Sequence, residues 1–400
     1  MFEAARYRAC ASRGTRSYVQ LLCFLCLLCS IPCISLSKAA ARRQSAPSNK
    51  ADDVFKNVQL LKGITVSEFI DTMGLFSASL GANCVHCHVE ESLTHWEKFA
   101  EDVPRKRRAR QMIQMVNGIN QANFGGRPVI TCYTCHHGDI RPDGIPSLLA
   151  QYSLPIEDPN KVEIVPDADQ GPTATQILDK YIEAVGGSQA VSRLTSFSAK
   201  GTYKGFDTYE QKVPFEVFAK MPNQRTTIVH TQNGDTTSVF DGRTGWLASV
   251  DRPVTLLPLN RGSELDGARL DAYLSFPAGI KLALTQWRVG FPMTAIDDRP
   301  VQVVEGTGEG GARFKLFFDS ESGLLARVVR YTNTIVGTVP TQTDFADYRT
   351  VAGVKMAFKT VVTWTTGQAT IELSEVQSNE SIDAAKFKQP PPAVVKPAVR

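Results

Sequence analysis

No cysteine follows Cys135, and only one histidine, His230, follows His137. The C-terminal two thirds of the chain therefore hold no disulfide framework, no cysteine-ligated metal and no thiol nucleophile. That region also lacks a glycine-rich phosphate loop and any pair of carboxylates at acid–base spacing above background. Excess charge is missing too: the formal net charge is +4, and Arg6, Arg8, Arg13 and Arg16 against Glu3 supply three of those four. The remainder is near neutral, which gives nucleic-acid binding no support. With 42% hydrophobic and 21% charged residues the chain is neither disordered nor fibrous. Its length allows about two or three folded units.

The N-terminus has the pattern of an export segment. Arginines precede an apolar run from Tyr18 to Ile34, followed by the small residues Ser35, Ser37, Ala39, Ala40 and Ala41. Residues 1–37 are thus expected to be a signal peptide or, if uncleaved, a membrane anchor, since a run of about 17 apolar residues sits at the lower edge of what spans a bilayer. Export to the periplasm follows for the rest. Pro32 before Cys33 and Leu28 before Cys29 fit a lipid-attachment site poorly. Of the nine cysteines, Cys10, Cys23, Cys26, Cys29 and Cys33 fall in this segment. The other four form two Cys-x-x-Cys pairs, each followed at once by histidine.

Those strings are Cys84-Val85-His86-Cys87-His88 and Cys132-Tyr133-Thr134-Cys135-His136. Two thiols at this spacing can add to the two vinyl groups of a haem while the adjacent imidazole reaches the iron. Coincidence or a redox-active pair would explain one copy, but two copies in an exported chain with no other cysteine favour haem. A zinc site is the other bland option; the histidine directly after each pair and the export segment argue against it.

The stretches around these motifs read as helices. Val66, Phe69, Ile70, Met73, Phe76 and Leu80 recur every three or four positions, and Met112, Met115, Val116 and Ile119 do so behind Pro104. Both spacings put methionine on an inward face. Such a methionine is either core packing or the sixth ligand of an iron, and a thioether opposite histidine gives a low-spin electron carrier.

Residues 53–142 resemble half of the tetrahaem cytochrome subunit of bacterial photosynthetic reaction centres. The resemblance rests on Val58-Gln59-Leu60-Leu61, Phe69 to Met73, Leu80-Gly81-Ala82-Asn83-Cys84, Ala109-Arg110-Gln111-Met112, Met115-Val116, Ile119-Asn120, and Val129 to His136 with Gly138. It implies two covalently bound haem c groups attached at Cys84, Cys87, Cys132 and Cys135. The implied axial pairs are His88 with Met73 and His136 with Met112, leaving Met115 in the core. It also implies redox partner proteins, including a membrane-bound complex or reaction centre. The chain departs from the family in holding one half only. No histidine stands at Asn123-Phe124-Gly125-Gly126-Arg127, where the family supplies a distal ligand to another haem. These departures bear on the photosynthetic role and leave the haem chemistry untouched.

His86, His95, His137 and His230 receive no iron-binding role. The run Arg105-Lys106-Arg107-Arg108-Ala109-Arg110 is either a solvated, ion-paired helix face or a docking patch for an acidic redox partner.

Residues 148–174, with Pro155, Pro159, Pro166 and Pro172, read as a linker. A helix over about 175–185, stopped by Gly186-Gly187, opens the next unit. Alternating runs near 196–206, 213–220, 225–232, 237–249, 300–305, 342–349, 354–365 and 369–376, with a hairpin over 313–331, predict antiparallel sheet. Helices near 264–275 and 278–286 interrupt it. Asp241-Gly242-Arg243-Thr244-Gly245-Trp246 and the hairpin resemble periplasmic lipoprotein carrier proteins, which implies a curved sheet closed by helices. Such a sheet would be either a packed scaffold or a groove for an apolar ligand.

The fold class expected is multidomain α + β. A mainly helical dihaem cytochrome c domain spans 51–147 and a curved antiparallel β-sheet domain with a few helices spans 175–389, followed by a disordered tail over 390–400. The function expected is electron transfer with no substrate turned over, so not an enzyme. A dihaem peroxidase would need one open distal face, which low-spin spectra of both irons would exclude. A lipid- or lipoprotein-binding module carrying haem would copurify with an acyl ligand.

Overall fold

A computed structural model describes residues 50–153, 158–165, 171–259, 262–291 and 294–396. The export segment expected over residues 1–37 lies outside them. Among the described residues no helix is long and apolar enough to cross a membrane.

The N-terminal helices form where the sequence spacing places them. After a short turn of helix, α1 (Ala51–Val54), comes α2 (Val66–Leu80). Thr65 starts α2 by accepting a hydrogen bond from the Glu68 amide, and Gly81 ends it at φ 58°, a left-handed conformation that favours glycine. Helix α3 (Pro104–Phe124) begins on its proline and ends at Gly125 in the same conformation. The second cysteine pair forms α4 (Cys132–His136), and α5 (Leu148–Tyr152) follows.

The C-terminal part is a fifteen-stranded antiparallel sheet. Its strands are β1 (Glu163–Val165), β2 (Ser196–Gly205), β3 (Val213–Lys220), β4 (Gln224–His230), β5 (Asp235–Phe240), β6 (Gly245–Ala248), β7 (Leu256–Leu259), β8 (Thr285–Phe291), β9 (Thr294–Ile296), β10 (Arg299–Thr307), β11 (Arg313–Asp319), β12 (Leu325–Thr334), β13 (Gly337–Val351), β14 (Val354–Trp364) and β15 (Gly367–Ser378). Their spatial order is β1-β8-β10-β11-β12-β13-β14-β15-β2-β3-β4-β5-β6-β7, with β9 beside β10. Helices α6 (Ala174–Ala184), α7 (Gly187–Arg193), α8 (Ser263–Leu274) and α9 (Ile280–Ala283) pack on one face. Helix α8 touches β12 and also β4 and β5, which stand six and more strands further along the sheet. At about 4.8 Å per strand a flat sheet would separate those contacts by about 29 Å, far beyond a helix diameter of about 10–12 Å, so the sheet curls around the helices. Ile177, Leu178, Leu270, Phe276, Ile280, Phe314, Leu316 and Phe318 fill the space between, which is the packed-scaffold arrangement. Two cavities among the described residues lie elsewhere and are lined mainly by polar side chains.

Three segments differ from the sequence expectation. Part of the stretch read as a linker belongs to the sheet: β1 pairs with β8, and Lys315 Nζ donates to the carbonyls of Asn160 and Val162, both at 2.8 Å. The helix expected to 286 stops at Ala283, after which the chain is extended as β8. The proline-rich tail is held across the β4–β5 and β6–β7 connections as far as Lys396: the Ala393 amide donates to the Thr255 carbonyl at 3.0 Å and the Lys396 amide to that of Asn233 at 2.8 Å.

The helical and sheet parts share a core. Val336, at the tip of the β12–β13 hairpin and 2% exposed, packs with Leu61, Ile64, Leu75 and Ile113 of the helical part. A second contact joins Val66 to Leu257 and Leu259 of β7. All described residues accordingly fall in one compact unit.

Candidate haem site

The first attachment motif hangs directly from α2. After Gly81 the chain turns through Ala82 and Asn83 into a short 3-10 turn, Cys84–His86, which leaves Cys84 exposed, Cys87 half-buried and the thiols unbridged. His88 is half-buried, and the Phe99 ring meets it edge-on at 4.8 Å. Burial, with the charges of Lys106 and Arg110, holds its imidazole below the ordinary histidine pKa. The neutral ring is the form that ligates a metal.

The second motif is a capped turn of helix. Thr131 and Thr134 cap each other reciprocally around Cys132 and Tyr133, the Thr131 amide donating to Thr134 Oγ1 at 3.0 Å. Asn120, 4% exposed, ties this turn to α3: its Nδ2 donates to the Ile130 carbonyl at 2.7 Å and its Oδ1 accepts from the Ile130 amide at 2.9 Å. His136 Nδ1 lies 2.9 Å from the Asp139 carbonyl. That hydrogen bond fixes the proton on Nδ1 and leaves Nε2 as the ligating atom.

Helix α2 serves both motifs. Its C-terminal glycine leads to Cys84, while its last turn packs on the second motif, where the Gly138 amide donates to the Ser79 carbonyl at 3.0 Å. A Cβ at Gly81 would overlap the Gly138 carbonyl, so that glycine is required by close approach as well as by its φ. Met73 is half-buried against the Leu61–Leu75 cluster, on a face shared with Phe69 and Phe76. Helix α3 has two apolar stripes. Ile113, Val116 and Asn120 are buried, whereas Met112 is half-buried and Met115 and Ile119 are 48% and 37% exposed. Met115 therefore does not lie in the core as expected: the inward stripe is one residue away, and Met115 shares the outward face with Met112. An apolar face next to a cysteine-pair helix suits a porphyrin.

The structure does not gather the two cysteine pairs into a zinc site. Among the described residues no three His, Cys, Asp or Glu side chains converge as metal ligands. The described residues fit covalent haem instead: unbridged thiol pairs, a histidine ring held by its Nδ1, and methionine-bearing helices alongside.

The basic run on α3 is mostly engaged in holding the first motif's loop. Arg105 Nη1 donates to the His86 carbonyl at 3.2 Å, Lys106 Nζ to the carbonyls of Phe99 and Glu101 at 2.8 and 3.1 Å, and Arg107 Nη1 to that of Asp102 at 3.1 Å. Arg110 pairs with the Asp102 carboxylate at 2.6 Å. His95, beside exposed Trp96, bonds Thr94 Oγ1, and His230 sits between Glu216 and Asp235 in the sheet.

One buried group gave no signal in the sequence. Asp71 of α2 faces Glu264 and Arg330 of the sheet part, and its Oδ2 is buried without a hydrogen-bond partner. Burial, then the Glu264 charge, pushes its carboxyl up to about 7, against the opposing pull of Arg330 and Arg252.

The fold and site define a class: a helical segment carrying two cysteine-pair–histidine motifs, built onto a curved antiparallel sheet. Residues 34–153 match the family model of the photosynthetic reaction centre cytochrome C subunit. The photosynthetic reaction center cytochrome c subunit of Roseobacter denitrificans is 35% identical over 103 residues, which is 24% of this chain and 27% of that protein. That of Thermochromatium tepidum is 35% identical over 101 residues, 23% of each chain. The matched region thus spans about a quarter of the length of these curated relatives. The sheet part is similar to solved structures at low identity. A LolA superfamily protein from Nitrosomonas europaea shares 13% identity, with 55% of this chain and 98% of that chain covered and a TM-score of 0.37. A DUF1329 family protein from Desulfovibrio piger shares 10%, with 54% and 97% covered and a TM-score of 0.38.

Proposed function

We propose that this chain is a periplasmic electron carrier holding two haem c groups, one bound through Cys84, Cys87 and His88 and the other through Cys132, Cys135 and His136. Met73 and Met112 are the sixth ligands in this reading. The observation that carries it is that each attachment motif adjoins a helix presenting a methionine on a face the protein does not fully bury. When bound, each haem supplies a one-electron couple. The residues of this chain would fix its orientation: Asn120 and the Thr131–Thr134 cap hold the second motif, and the Arg105–Arg110 series holds the loop of the first. The partner is a membrane-bound electron-transfer complex of the kind its relatives are named for, and the sheet part is the scaffold that carries the haem segment.

Expression with a working cytochrome maturation system tests this. Two haem masses per chain, low-spin spectra, and a shift of one haem to high spin in each of Met73→Ala and Met112→Ala are expected. Colourless protein, or spectra indifferent to both substitutions, would overturn the assignment.

A further inference from the structure

The register of β11, β12 and β13 sets Arg313 opposite Tyr331 and Tyr331 opposite Pro340, a row running across three strands. Alternation decides which face the row occupies. Phe314 and Leu316 enter the helix-packed core, so Arg313 and Lys315 stand on the outer face of the sheet. Residues 158–162 cross over them there, fastened through Asn160. Its carbonyl accepts from Lys315 Nζ at 2.8 Å and from Tyr331 Oη at 3.2 Å, and its Nδ2 donates to Gln342 Oε1 at 2.9 Å. Beside this strap lies a cavity of about 280 Å³ whose lining includes Asp158, Lys161, Arg313, Lys315, Tyr331 and Pro340.

The lining has the chemistry of an anion site. The Arg313 guanidinium lies over the Tyr331 ring, 5.5 Å from its centroid, an arrangement that uses the flat face of the fork and leaves its N–H edge for in-plane bonds. Glu305 Oε2, 3.9 Å from Arg313 Nη1, is beyond hydrogen-bonding reach. Lys315, 8% exposed, commits two N–H groups to the carbonyls of Asn160 and Val162 and has a third to place. Lys161, Arg313 and Lys315 stand against Asp158 and the neighbouring Glu305, which leaves one positive charge uncompensated. That balance matches a monoanion and not a phosphate dianion. Size narrows the choice again, because the cavity falls below the roughly 300–1,000 Å³ of sites for drug-sized ligands and cannot enclose a fatty acyl chain.

We propose that this cavity binds a small monocarboxylate, its two oxygens on the N–H edge of Arg313 with the Lys161 ammonium beside them, and its apolar remainder against Pro340 and the edge of Tyr331. The site belongs to the sheet part and needs neither haem.

Isothermal titration of the purified full-length protein with benzoate tests this, with benzamide as the uncharged isostere and inorganic phosphate as the bare oxyanion. Benzoate should bind once per chain, more tightly than phosphate, and benzamide should give no measurable binding. Arg313→Met, at a position 51% exposed where folding is not at stake, should weaken benzoate at least tenfold, and Lys161→Met, also exposed, should weaken it as well. The proposal is overturned if benzoate does not bind, if benzamide or phosphate binds as tightly as benzoate, or if Arg313→Met leaves the benzoate affinity unchanged.

Discussion

Truncating Val336 to alanine should weaken the N-terminal helical segment even though the residue belongs to the sheet part. The side chain is 2% exposed and surrounded by Leu61, Ile64, Leu75, Ile113 and Val339. Its hairpin is locked by Thr334 Oγ1, which donates to the Gly337 carbonyl at 2.9 Å, so the tip has little freedom to collapse into the space left behind. Losing two methyl groups costs about 1.6 kcal/mol in transfer free energy, and the cavity left behind brings the total to about 2–3 kcal/mol. Urea unfolding can be followed by the fluorescence of Trp96 for the helical part and by far-ultraviolet circular dichroism for the sheet, with Trp246, Trp287 and Trp364 replaced by phenylalanine in parent and variant alike. Because one core is shared, both probes should lose the same stability and keep coincident midpoints. A variant in which the helical signal shifts while the sheet signal stays put, or in which neither moves, would refute the shared core.

Other outcomes follow from single contacts. Asn120→Ala removes two buried hydrogen bonds to Ile130 and should cost about 1–3 kcal/mol; hydrogen exchange at the Ile130 amide should speed up, and unchanged protection there would count against the clamp. The Arg110 guanidinium holds the Asp102 carboxyl below its ordinary 3.8. A depressed carboxylate pKa contributes stability above 3.8 that is lost as the pH falls through the lower folded value. Acidification below pH 3.8 should therefore loosen the first motif's loop before the second motif, seen as earlier loss of amide exchange protection in residues 86–102; equal acid sensitivity in Arg110→Gln and in the parent would contradict this. The amides of Ala393 and Lys396 should exchange slowly because each is bonded to a connection between strands, and exchange at free-peptide rates would show that the tail does not lie there.

Some of this was legible in the sequence because the chemistry is written locally. A cysteine pair followed by histidine needs no partner elsewhere in the chain to be recognised, and the stripes of α2 and α3 are set by residues three or four apart. The 313–331 hairpin announced itself through alternation around the Asp319–Gly323 turn. What could not be read was long-range. Thr334-Ile335-Val336-Gly337 looks like an ordinary turn, yet its valine is buried against residues of the N-terminal helical part. The proline-bearing stretch around Pro159 supplies carbonyls to Lys315, a pairing that no local pattern encodes. Met115 was placed inward because a stripe of apolar residues one position wide can be read on either side of α3, and burial chose Ile113 and Val116. The basic run was visible as a cluster, but its work on the carbonyls of the 86–102 loop depends on how that loop folds back.

The β12–β13 hairpin wedged among the N-terminal helices, with Val66 packed on β7, ties the helical part to the sheet at two points. The two parts should therefore tumble in solution as one rigid body, with a single rotational correlation time.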